Sequence, residues 1–211
     1  MVTQHPVPPS RAATVTLLGG ELALDFANTE SGRGDDSHQD HLQAPGDVAD
    51  WLSHAKALGP DESRWLKGWA KARPSEGATL LAHAHALRQD VHAIAATIAR
   101  RQMPPAAAMT RLNAFHGQCL SCATLRPGGS AFHWGWDIER HPVQAALAPV
   151  ALSAMAILTG LDLARVKECG GEHCGWLFYD RSKNNSRRWC EMEICGNRAK
   201  QKRLRTRREA D

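Results

Sequence analysis

Residues 169–198 read CGGEHCGWLFYDRSKNNSRRWCEMEICGNR, and this stretch decides the architecture. Cys169, Cys174, Cys190 and Cys195 form two Cys-x4-Cys loops separated by fifteen residues. Tetrahedral zinc needs four thiolates at about 2.3 Å from one ion, and two short cysteine loops joined by a hairpin can supply them. Residues 176–179 (Trp-Leu-Phe-Tyr) have strand composition, 182–185 read as a turn, and 186–189 return towards the ion. Gly170-Gly171 lets the first loop fold around a metal. The gaps are wider than the usual two residues, so four buried structural thiols or a redox set are the competing readings. A closed four-cysteine site is structural rather than catalytic, and one structural Zn2+ per chain is the expectation. His173, beside Cys174, reads as a surface residue and not as a substitute ligand.

Directly after Cys195 comes Gly196, then Asn197, Arg198, Ala199, Lys200, Gln201, Lys202, Arg203, Leu204, Arg205, Thr206, Arg207 and Arg208. These are mostly good helix formers, and only Ala199 and Leu204 are apolar, so the helix has no face to bury in a core. Arg181, Lys183, Arg187 and Arg188 precede it in the hairpin and can extend one basic surface. The chain as a whole has a formal charge of +4, yet residues 181–208 alone carry 11 basic and 2 acidic side chains. Such a density suits a phosphate backbone, because each neutralised phosphate releases counterions. A solvated tail and an acidic protein partner are the alternatives. If the partner is duplex DNA, Asn197, Arg198 and Gln201, nearest the metal, are expected to read bases. The more distal Lys202, Arg203, Arg205, Arg207 and Arg208 are expected to hold phosphates.

Upstream of residue 165 the pattern is mainly α (α+β): a multihelical domain over 14–164 with a small β-hairpin, after a Pro-rich flexible leader at 1–13. Residues 15–18 read as a short strand and 21–28 as a turn or two of helix, whereas 31–46 form a long loop. Helices are expected over 47–58, then after Gly59-Pro60 through Trp65, Leu66 and Trp69 until Pro74, over 79–101 and from Pro104 to Cys119. In the helix at 79–101, Leu80, Ala84, Leu87, Val91, Ile94 and Ile98 share one face. A hairpin spans 124–137, with its turn at 127–130. Residues 142–159 contain no charge and are long enough to span a bilayer, but Gln144, Pro149, Ser153 and Thr159 argue for a core helix, kinked or broken at Pro149. The seven tryptophans are expected to fill the core and the metal module, with Trp176 and Trp189 bracketing the ion. Composition is that of a soluble globular chain, 43% apolar and 23% charged.

At Cys195-Gly196-Asn197-Arg198 the chain resembles a CGNR zinc finger. The likeness extends through Cys174-Gly175-Trp176-Leu177-Phe178, Asn185-Ser186-Arg187-Arg188-Trp189-Cys190 and Ala199-Lys200. The resemblance implies zinc ligation by Cys169, Cys174, Cys190 and Cys195, and a DNA-binding role for the module. Upstream, Gly20-Glu21-Leu22-Ala23-Leu24-Asp25-Phe26-Ala27-Asn28-Thr29 resembles the opening of the ABATE domain, which commonly precedes this finger. Together they imply a bacterial, stress-linked transcription regulator, its helical body serving in ligand sensing or dimerisation. A zinc-stabilised protein-interaction module and an enzyme are the alternatives.

Asp25, Asn28 and Thr29, at i, i+3 and i+4, present polar atoms on one side of a short helix. They could form a small-effector site, although local capping of helix ends is the reading we prefer. His85 and His92 share a helix face without a carboxylate or cysteine set to make a metal site. Cys119 and Cys122 lie at a helix-to-strand junction and read as ordinary buried thiols. No catalytic constellation is visible: there is no phosphate-cradling glycine loop, nucleophile elbow or HExxH motif. Six cysteines, four of them bunched, do not make a disulfide framework, and residues 1–13 lack a signal-peptide pattern. A cytoplasmic protein with no membrane association is therefore expected, with DNA, a small effector and a second copy as partners.

Overall fold

The computed structural model describes residues 11–33 and 38–210, and of 207–210 the backbone alone. The helical body is built around one long helix. α4 (Pro74–Ala99) packs against α1 (Leu22–Ala27), α2 (Pro45–His54), α3 (Pro60–Ala72), α5 (Ala106–Ser121) and α6 (Pro142–Gly160). It buries Leu80, Ala84, Leu87, Val91 and Ile94, the stripe that the sequence periodicity marks. Proline stands in the first turn of α2, α3, α4 and α6, where its missing N–H costs no helical bond. Asp47 caps α2 from inside that helix, accepting the N–H groups of Gln43 and Ala44 at 2.9 and 2.8 Å. Glu62 does the same for Gly59 at the head of α3.

Several boundaries differ from expectation. α2 stops at His54, not Leu58, because Lys56 turns into the left-handed region (φ 57°) and the Ala57 and Leu58 N–H groups fold back onto Leu52 O. Residues 15–18 form no strand, and Leu18 O accepts from Arg187 of the metal module. Of the expected leader, residues 1–10 lie outside the described residues, and Arg11–Thr14 already form a 3-10 turn with Ala12 fully buried. The long loop holds a two-residue ladder, β1 (Glu30–Ser31) against β2 (Gln39–Asp40). α6 continues through Pro149 and is not broken there. Its hydropathy of 1.7 is high enough for a membrane span, but Ala146, Leu147, Ala148, Val150 and Ala151 are fully buried in the core against α1, α4 and α5.

The hairpin β3 (Ala123–Gly128) and β4 (Ala131–Trp136) pairs Leu125 with Trp134 and Pro127 with Phe132, turning at Gly129-Ser130. Trp136 anchors it by donating to Cys119 O. Trp134, expected in the core, is 47% exposed, and Phe132 71%. After a short 3-10 turn, β5 (Val166–Glu168) and β6 (Leu177–Tyr179) pair antiparallel. Val166, Leu177 and Tyr179 belong to the same core as the helices, whereas Phe178 points the other way, into the cysteine cluster. One strand thus serves two cores. A wide π-helical turn (Met192–Gly196) leads into α7 (Asn197–Ala210).

Candidate metal centre and nucleic-acid interface

The β5–β6 connection carries Cys169 and Cys174, the return loop carries Cys190, and the π-turn carries Cys195. Their four sulfurs all lie within 4.8 Å of one another. Cys190 Sγ is 3.6 Å from the sulfurs of both Cys174 and Cys195. Disulfide-bonded sulfurs stand about 2.05 Å apart. Ligands arranged tetrahedrally at about 2.3 Å from zinc stand about 3.8 Å apart. The spacing fits a shared metal ion and excludes a bridged pair.

Electrostatics agree. The thiols of Cys174 and Cys190, with the N–H groups of Cys190 (3.2 Å) and Gly171 (3.4 Å), point at Cys169 Sγ and hold its pKa far below the ordinary thiol range. Those same sulfur contacts, helped by burial, push Cys174 up to about 12 and Cys190 further. Burial raises Cys195. Four thiolates packed this closely need a cation among them, and a soft divalent ion with four sulfur ligands answers that need. Two glycines lie close against the cluster. A Cβ at Gly171 would sit 3.1 Å from Cys195 Sγ, and one at Gly196 only 2.3 Å from Met192 Sδ. Trp176 and Trp189 flank the cluster, as expected.

The return loop is built on a buried carboxylate. Asp180, with no exposed surface, accepts from Lys167 Nζ and from the N–H groups of Ser182 and Arg187. Burial opposes its ionisation, but these donors outweigh burial and hold its pKa well below the usual carboxylate range. Lys167 also donates to Asn185 O and Arg187 O, so one ion pair shapes the whole loop. Nothing in the spacing of Lys167 and Asp180 announces this, except that they leave neighbouring strands near the same end.

The basic residues separate into two groups. Arg187 stacks on Phe178 at 4.3 Å and donates to Leu18 O, Trp189 O and Cys190 O. Its guanidinium is held by the fold through these contacts. Arg181 pairs with Glu21 and lies over Tyr179. Lys183 and Arg188 are exposed. On α7, Arg198, Lys200, Gln201, Lys202, Arg203 and Arg205 are all exposed, and Lys202 pairs with Glu172. Asn197 donates its amide to Glu193 O. The side chains of Arg207 and Arg208 lie outside the described residues.

Residues 20–161 match the ABATE family, whose description is "putative stress-induced transcription regulator". The chain belongs to the ABATE family. Residues 165–208 of this ABATE protein match the CGNR zinc finger, so the four-cysteine cluster is its structural zinc site, with room for one ion. No curated protein matches the chain. Neither family description is that of an enzyme, and the two together describe a stress-linked regulator carrying a zinc module.

Asp25, Asn28 and Thr29 are buried, and each bonds to protein groups. Asp25 Oδ1 accepts the Gly19 N–H at 2.7 Å, while burial raises its pKa to about 6. Thr29 caps locally, donating to Phe26 O. Asn28 does neither of the expected things. Its amide donates to Leu177 O and accepts from Leu177 N–H, both at 2.8 Å, so a side chain of the helical body acts as a pairing strand for β6. His92 adds a second tether: Nε2 lies 3.3 Å from Gly175 O, and because a carbonyl only accepts, that nitrogen carries the proton. Arg100 and Glu168 form a third. His85 bonds to Leu42 O instead of a metal. Cys119 is buried, its pKa raised to about 12 by burial, and Cys122 is half-buried; both lie outside the metal cluster.

The sequence reading missed Arg88. It is 2% exposed and makes a bidentate pair with Asp40 (2.6 and 2.7 Å) and a contact with Glu30, pinning the β1–β2 ladder to α4. A signal existed, because Arg88 stands four residues after Ala84 and three before Val91, inside the apolar stripe.

Proposed function

We propose that this protein is a bacterial, cytoplasmic transcription regulator that binds duplex DNA through α7. One observation carries the reading: α7 begins two residues after the fourth zinc ligand and leaves the body with its side chains in solvent, five of them cationic between residues 197 and 206. A helix so charged and so little packed gains most from a polyanion that neutralises it. The zinc-ordered turn would fix where the helix starts, and therefore how it meets a groove. Asn197, Arg198 and Gln201 are the proposed base-reading residues, with Lys202, Arg203, Arg205, Arg207 and Arg208 on phosphates. One module covers few base pairs, so a homodimer on a two-fold operator is part of the proposal.

Salt titration of DNA affinity, with zinc-loaded protein, is the test. Five to seven phosphate contacts give a slope of log K against log salt near −5, and replacing Arg205, Arg207 and Arg208 with Ala reduces it by up to about three charges' worth. Truncation after Gly196 abolishes binding. Selection from random duplex DNA should enrich a motif that changes in Asn197→Ala and Gln201→Ala. Absence of binding at low salt refutes the proposal and favours an acidic protein partner for the same surface.

A further inference from the structure

The proposed DNA contacts come from all round α7, and three of them, Arg198, Lys202 and Arg203, also border a cleft. Arg198, Ala199, Lys202, Arg203 and Thr206 recur at helical spacing and turn towards the body, while Asn197, Lys200, Gln201, Leu204 and Arg205 occupy the opposite face. Between the inward face and the body lies an open cleft of about 1490 Å³. Arg188, Arg198, Lys202 and Arg203 border it, against two carboxylates, Glu172 and Glu191. Trp176 and Trp189 line it beside the cysteines, and Arg188 lies 5.9 Å from the Trp189 ring. Thr16, Leu18, Ser31, Gly32 and Gln39 complete the lining and place two hydroxyls and one amide in it.

We infer that this cleft binds a small phosphorylated molecule bearing a planar ring, of the nucleotide class. The chemistry follows from the lining. Guanidinium groups match phosphate oxygens in geometry as well as charge. Indole faces beside them accept a flat ring, and hydroxyl and amide groups across the cleft suit a polar sugar. Arg198, Lys202 and Arg203 belong to both the cleft and the proposed DNA contacts, so the small ligand and a duplex would compete for them. A ligand held by both walls would also tie α7 to the body, which the described packing otherwise holds chiefly through the π-turn.

Calorimetry on the zinc-loaded full chain, titrated with ADP, tests this without DNA and independently of the DNA reading. One ADP per chain is expected, bound about tenfold or more tightly than pyrophosphate or adenosine alone, since each half supplies only part of the contacts. Arg198→Ala with Arg203→Ala should weaken ADP about tenfold or more, while the charge-matched pair Lys200→Ala with Arg205→Ala on the outward face changes it less than about twofold. All four residues are exposed, so both variants keep the fold, which circular dichroism checks. No ADP binding overturns the inference, and so does an equal loss in the two variant pairs, which would show general charge attraction. Pyrophosphate binding as tightly as ADP overturns the assignment of a planar ring to the indole wall.

Discussion

Asn28→Ala should uncouple the zinc module from the helical body. Asn28 is 1% exposed and Leu177 fully buried, and their two 2.8 Å hydrogen bonds join α1 to β6 across 149 residues of sequence. Truncating the amide orphans one buried N–H and one buried C=O, each worth about 1–3 kcal/mol. Partial access of water to the vacated space brings the expected loss to about 2–4 kcal/mol. Asn28→Asp keeps the volume but sets a carboxylate oxygen against Leu177 O, so it should cost at least as much; a cavity effect alone would spare it. Urea unfolding followed by far-ultraviolet circular dichroism, with zinc release read by a metallochromic indicator, gives both quantities. In the natural protein, helix loss and zinc release should coincide. In Asn28→Ala the module should let go first, its midpoint lower by roughly 1–2 M at a typical slope near 2 kcal/mol per M. A midpoint within about 0.5 kcal/mol of the natural protein would refute the bridge, because a surface-like substitution costs no more than that.

Cys190→Ala should abolish zinc retention and also lower the melting temperature of the helical body. Without the metal, Leu177 and Tyr179 lose the scaffold that holds them in the shared core, so an unshifted body transition would show the module to be independent. Arg187→Ala should destabilise the protein by about 2 kcal/mol through its lost stack and carbonyl bonds, yet leave the salt slope of DNA affinity unchanged. Chemical denaturation and salt titration together check this; a flatter slope would return Arg187 to the phosphate contacts. His92 gives a pH signature. Burial lowers its pKa to about 4 from 6.5, so below 6.5 the unfolded chain takes up the proton first. The stability contributed by neutral His92 is therefore complete above about pH 6.5 and lost as pH falls towards 4. Between pH 7.5 and 5.5 the loss is on the order of 1 kcal/mol, which His92→Gln should remove from the pH profile of unfolding.

The parts of this fold that were legible in the sequence are those governed by local periodicity and punctuation. The stripe on α4 and the hairpin turn at Gly129 follow from residue spacing, and the cysteine quartet was legible because metal ligation constrains four positions at once. Helix ends were less so. Gly59-Pro60 reads equally well as a stop for α2 and as a start for α3. The structure uses it as a start, with the Glu62 cap, while α2 ends earlier on a turn at Lys56 that no glycine marks.

What the sequence did not reveal is how the two matched regions join. Asn28, Arg88, Asp180 and Arg187 are polar residues whose partners lie 149, 48, 13 and 169 positions away, and no spacing rule links a side chain to a distant backbone. Each is drawn inwards because a buried backbone or charge had to be satisfied. Asn28 satisfies both backbone groups of Leu177 in β6, and Arg187 donates to Trp189 O and Cys190 O in the return loop. Such residues look like candidate ligand or nucleic-acid contacts in the sequence, since polarity is all that shows. Asn28 and His92 bond from the ABATE body to Leu177 and Gly175, and Arg187 bonds from the return loop to Leu18 O and Cys190 O, so the two matched regions are joined by side chains bonding to backbone groups far away in sequence.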